Sequence, residues 1–271
     1  MFKMAFRNSG LLAAFLVAGS FALGGCGGSP ADVHLVRPAA ASTAFETLTC
    51  LTEPIASAVR VEPDTGVATA WHACQAEFRA KVSALGLTPV QEKLAFASIL
   101  AYALAPYGSS VATSLNDLLA DDALDCDNYA LLTGYLARIL GVDAPLRFVG
   151  FHGGAVGNHA QVFVENELLL DPTIGLIARI GFDEALQGKP VAEAAILVFR
   201  QRSDAHMDGF AAMVRGALAT GAYRPSDLLY FYPSFDQYLK YAQQTPPASA
   251  FDQLVRTFPT PAVAALYRDT R

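Results

Sequence analysis

Residues 125–140 read DCDNYALLTGYLARIL. Asp125 is a natural helix cap, and Tyr129, Leu132, Leu136, Ile139 and Leu140 recur with helical spacing until Gly141 stops the pattern. The spacing predicts a helix over 125–140 with Cys126 in its first turn. A thiol there lies near unpaired backbone N–H groups and the positive end of the helix dipole, and both favour its thiolate. The carboxylates of Asp125 and Asp127 oppose that ionisation, so a reactive Cys126 also needs an imidazole beside it.

Working outward, the pattern changes from helix to strand. Pro145 to Phe151 and His159 to Val164 are strand-like runs separated by Gly153, Gly154 and Gly157. Glu165-Asn166-Glu167 then makes a short turn into Leu168 to Asp171. Alternation places His159, Gln161 and Phe163 on one face, and Leu169 with Asp171 on one face of the partner strand, so antiparallel pairing brings His159 and Asp171 side by side. Cys126 as nucleophile, His159 as general base and acid, and Asp171 as the orienter of the ring are the parts of a covalent acyl-transfer site. His152 is the rival base, in a less favourable loop position. Asn116 is the candidate side-chain donor to an oxyanion, beside the backbone N–H of Cys126.

Upstream, helical regions are expected over about 42–60 and 68–85. Thr88-Pro89-Val90-Gln91 has the form of a capping box with Pro at the first helical position, and starts a helix that Pro106 ends. Residues 107–124 read as a loop with a short helix. Trp71 and His72 fall on the second helix as a core and a surface residue. Beyond about 200 helical runs are expected near 204–220, 226–243 and 249–268. The expected organisation is a signal segment over 1–25, a tether over 26–41, a catalytic domain over 42–200 and a helical extension over 201–271.

DCDNYALLTGYLARILGV, the LRFVGF strand and HAQVFVENELLLDPT together resemble the core of the transglutaminase-like superfamily, relatives of papain-like cysteine proteases. The resemblance covers roughly residues 88–180. It implies an α+β fold in which a helix beginning with Cys packs on an antiparallel sheet, with Cys126, His159 and Asp171 in the catalytic roles given above. It further implies amide chemistry on a protein or peptide through a thioester, with no cofactor. The chain departs from the family pattern at Leu124, where many relatives have Gly, and at Gln161, where many have an aromatic residue. The competing expectation is a catalytically inactive scaffold or binding protein on the same fold.

The N-terminus has Lys3 and Arg7, a short apolar stretch from Leu11 to Leu23, then Gly24, Gly25 and Cys26. This describes a secretory signal whose apolar part is too short for an ordinary membrane span. Leu23-Gly24-Gly25-Cys26 resembles a bacterial lipobox, which implies cleavage before Cys26 and lipidation of its sulfur and amino group. Several acyl chains at about 0.8 kcal/mol per buried methylene make a durable membrane anchor. In Gram-negative sorting, Asp after the lipidated Cys favours the inner membrane; Gly27 occupies that place, so the outer membrane facing the periplasm is expected.

Of the chain's four cysteines, Cys26 is thus assigned to lipid. Cys50 and Cys74 are the natural disulfide partners, on either side of Glu62-Pro63-Asp64-Thr65-Gly66, leaving Cys126 for chemistry. Pairing of Cys126 with one of the others is the alternative. The net charge of −6 becomes about −8 once Lys3 and Arg7 are removed, which disfavours nucleic acid as a partner. No His or Cys pair has metal-ligand spacing, so no metal is expected.

Overall fold

In a computed structural model the described residues are 45–142, 146–153, 157–223 and 227–244. Cys26, the signal and tether segments, and the helical run near 249–268 lie outside them. The fold is α+β: helices packed on one antiparallel six-stranded sheet.

Helix α1 (Glu53–Val61) is followed after one residue by α2 (Pro63–Val82). The expected helices over 42–60 and 68–85 therefore have different limits. Proline fixes both starts: Pro54 and Pro63 each occupy the first turn, where a missing N–H costs nothing. Residues 62–66 are the sharp junction and first turn of α2. Gly66 permits it, because a Cβ there would lie 2.5 Å from the Ala58 carbonyl oxygen. The Cys50–Cys74 disulfide ties the segment before α1 to the middle of α2 across 24 residues of sequence, a closure worth about 3 kcal/mol.

Helix α3 (Pro89–Leu104) has the expected capping box, with Gln91 N–H donating to Thr88 Oγ1 and Thr88 N–H to Gln91 Oε1. It is buried nearly all round, as Leu94, Phe96, Ile99 and Leu100 show. After the short α4 (Leu115–Ala120), α5 (Cys126–Ile139) begins at Cys126 itself. Its cap is a second box, in which Asp125 accepts from Asn128 N–H at 3.0 Å and Asn128 Oδ1 accepts from Asp125 N–H at 3.2 Å.

The sheet runs β5-β4-β3-β2-β1-β6, where β1 is Leu146–Gly153, β2 Gly157–Val164, β3 Leu168–Asp171, β4 Leu176–Ala178, β5 Ile196–Val198 and β6 Asp227–Tyr232. Helix α6 (Phe182–Leu186) and helix α7 (Ala205–Thr220) flank β5 in sequence, and α8 (Phe235–Gln244) follows β6. The run expected as one helix over 226–243 is thus a strand and a helix. Pro233 divides it, and the aromatic-rich DLLYFY lies along β1, where bulky flat side chains pack well on a pleated surface.

The two sheet faces bury different partners. Phe148, Ala160, Val162 and Val164 join the core formed by α2, α3, α5 and α8. Val149, Phe151, Phe163 and Leu169 join the core formed by α6 and α7. Among the described residues no helix is long and apolar enough to cross a membrane.

Helix α8 reaches α5 through a missing side chain. A Cβ at Gly134 would lie 2.2 Å from the ring of buried Phe235. Gly134→Ala ordinarily gains up to about 1 kcal/mol in a helix, yet overpacking costs about 1–3 kcal/mol. Gly134→Ala is expected to lower the urea midpoint, and adding Phe235→Ala to make the two changes less than additive. A raised midpoint in Gly134→Ala would contradict this packing.

Candidate active site

The β2–β3 register sets the first part of the site. Val162 pairs with Leu170 and Phe163 with Leu169, so His159, Gln161 and Asp171 share one face at the same end of the two strands. His159 Nε2 and Asp171 Oδ2 are 2.7 Å apart, both side chains almost completely buried. The imidazole is held edge-on between the rings of Phe151 on β1 and Phe210 on α7, with centroids 5.9 and 5.3 Å away.

Asp171 accepts more than one hydrogen bond. Gln161 Nε2 donates to the same Oδ2 at 2.8 Å, and the Thr173 N–H donates to Oδ1 at 3.2 Å. Behind Gln161, the Tyr223 hydroxyl donates to Gln161 Oε1. Burial pushes the Tyr223 phenol well up, and the negative charge of Asp171 adds to this, so Tyr223 stays a neutral donor. Neither Gln161 nor Tyr223 was among the residues the sequence singled out for function. The available signal was a polar side chain inside HAQVFV at a fully buried position.

Cys126 is the first residue of α5 and is buried. Its sulfur is in a disulfide, so it is not the free thiol the sequence leads one to expect. Helix α5 packs against β2, but on the Ala160, Val162 and Val164 side, whereas His159 belongs to the layer of Phe151 and Phe210. The structure therefore joins His159 to Asp171, and places the sulfur on a helix end against the same strand, in the neighbouring core layer.

Two acids flank the sulfur. Burial pushes Asp125 up to about 7, the charge of Asp127 adds to the rise, and hydrogen bonds from the Asn128 and Asp127 N–H groups oppose it. Asp127 is also raised by burial, against the Tyr230 and Tyr238 hydroxyls that donate to it and against the charge of His159. The two tyrosines come from β6 and α8, so the C-terminal part of the fold holds the helix end that carries Cys126. The repulsion that Asp125 exerts on a thiolate is accordingly weakened wherever its carboxyl keeps a proton.

The remaining residues of the sequence reading lie as follows. Asn116 is exposed on α4. Its neighbour in type, Asn128, is spent on the α5 cap and on donating to the Ala112 carbonyl at 2.8 Å. His152 lies in β1. Trp71 packs edge-on against Phe78 and Phe96, and His72 is exposed. Among the described residues no group of three or more His, Cys, Asp and Glu is placed to hold a metal ion.

The raised Asp125 carboxyl has a consequence for stability. Between its ordinary value of 3.8 and about 7, the folded chain keeps a proton that the unfolded chain has released. Its contribution is therefore fully present below the ordinary value and declines as pH rises towards and through 7. Urea midpoints measured from pH 4 to 8 are expected to fall more steeply in wild type than in Asp125→Asn. Equal slopes in the two proteins would contradict the raised carboxyl.

Comparison with known proteins finds no matching family model, curated protein or solved structure, so the site is read from its own chemistry.

Proposed function

We propose that this chain is a cell-envelope lipoprotein with a transglutaminase-like core that hydrolyses or transfers an amide bond of a protein or peptide through a thioester. The observation that carries the reading is the buried contact of His159 with Asp171 on β3, His159 lying on β2, the strand against which the Cys126 helix packs. With Nε2 engaged by Asp171, Nδ1 is the ring nitrogen available to exchange a proton with a thiol.

The attacking species is a thiolate, so the disulfide at Cys126 has to be open in the active form. Lipidation at Cys26 supplies a reason for it to be open. It consumes that sulfur as a thioether, while Cys50 and Cys74 hold each other.

In the reaction, the Cys126 proton passes to His159 and the sulfur forms a bond to the amide carbonyl carbon. The carbonyl electron pair moves to oxygen, which the Cys126 N–H and the α5 helix end stabilise. Collapse breaks the C–N bond, and the departing amine takes the proton from His159. Water then attacks the thioester and restores the thiol; an amine in its place gives cross-linking. Hydrolysis is favoured in a wet periplasm.

A scaffold is the second reading, favoured by the oxidised, buried sulfur and by the separate layer that His159 occupies. The two are separated by comparing envelope peptides and proteins from wild-type, Cys126→Ala and His159→Ala cells. An enzyme leaves a fragment whose new terminus appears only in wild type, with His159→Ala slowing its formation by about 10²–10⁴-fold. Identical termini in all three strains would overturn the enzyme reading.

A further inference from the structure

We infer that Gln161 and Tyr223 are positioning residues that fix the proton of His159 on Nε2 and leave Nδ1 as the basic nitrogen. The inference rests on the reading of His159 as the site's base, and it concerns groups that this reading did not require.

The direction of each hydrogen bond is what assigns the proton. The Tyr223 hydroxyl donates to Gln161 Oε1, and burial, by pushing the phenol well up, keeps on it the proton this bond needs. An amide with its oxygen turned to Tyr223 has its NH2 turned the other way, and Nε2 lies 2.8 Å from Asp171 Oδ2. The Thr173 N–H occupies Oδ1. Asp171 is therefore surrounded by donors and acts as an accepting carboxylate. The remaining neighbour of Oδ2 is His159 Nε2 at 2.7 Å, and it completes the set only as N–H. Neutral imidazole has one N–H, so Nδ1 carries the lone pair.

Removing Tyr223's hydroxyl loosens this order at its origin. A Gln161 amide without that donor loses the contact that holds its oxygen towards position 223, so its Nε2 is less firmly aimed at Asp171 Oδ2. Tyr223 is well placed to hold the arrangement. Gly221 ends α7 in the left-handed conformation, the Tyr223 N–H donates to the Ala217 carbonyl at 3.0 Å, and the ring meets Phe151 edge-on at 5.8 Å. Phenylalanine keeps that ring contact and removes only the hydroxyl.

The test is a long-range ¹H–¹⁵N spectrum of the full chain labelled at its five histidines, in detergent, at the alkaline end of the ring titration. Loss of one signal set in His159→Gln assigns His159. Wild type is expected to show a protonated Nε2 and a bare Nδ1. Tyr223→Phe and Gln161→Met are expected to show both tautomers exchanging. A lowered Cys126 alkylation rate, about fivefold in Tyr223→Phe as for one neutral hydrogen bond, should accompany the change.

A wild-type ring with its proton on Nδ1 overturns the inference, and this readout needs no variant to fold. A folded Tyr223→Phe and Gln161→Met pair that both keep the wild-type spectrum also overturns it. The spectrum is read whether or not the protein has a substrate. An Nε2–H ring with an unreactive Cys126 leaves the tautomer assignment standing and removes the enzyme reading alone.

Discussion

The contact between His159 and Asp171 depends on taking a carboxylate wholly out of water, and much of the surrounding structure follows from that. An ion in such a place costs several kcal/mol even after relaxation, unless its lone pairs are met by donors. Here the donors are a ring nitrogen, a side-chain amide and a backbone N–H from the turn after β3. Their convergence requires the β2–β3 register, because a slip of one residue would turn His159 to the other face and strand Asp171. The three-residue turn between the strands, the buried Phe163 beside Leu169 and the α7 cover over the imidazole all serve the same geometry.

The other half of the arrangement is the end of α5. It is held by its capping box, by the packing of Phe235 against Gly134, and by Tyr230 and Tyr238 on Asp127. Thus β6 and α8, from the part of the chain read as a helical extension, contribute to the placement of Cys126. Chemistry between the two halves requires a reduced sulfur and an imidazole able to serve it from the next core layer. The oxidised sulfur makes the state of Cys126 the pivotal variable of the site.

What the sequence disclosed followed the range of the interactions involved. The capping boxes at Thr88 and Asp125, the helix beginning at Cys126 and the β2–β3 turn are local, and local patterning marks them. The meeting of His159 with Asp171 was legible because a short turn makes a distant contact local. Strands β4 and β5 are three residues each, too short for a period to register, and their pairing depends on the rest of the sheet. Strand β6 was missed because Tyr, Leu and Phe suit a helix core as well as a strand, and only pairing with β1 decides. Gln161 looked like a departure from a family pattern until Tyr223, 62 positions away, appeared as its partner.

Control of Cys126 ionisation by His159 is read from the rate of alkylation by iodoacetamide against pH. A full chain carrying Cys26→Ser keeps the Cys50–Cys74 bond and presents Cys126 as its reactive sulfur. The account predicts a reaction midpoint well below the ordinary thiol value of about 8.5, returning towards that value when His159→Ala is added. A midpoint near the ordinary value in both proteins would contradict it.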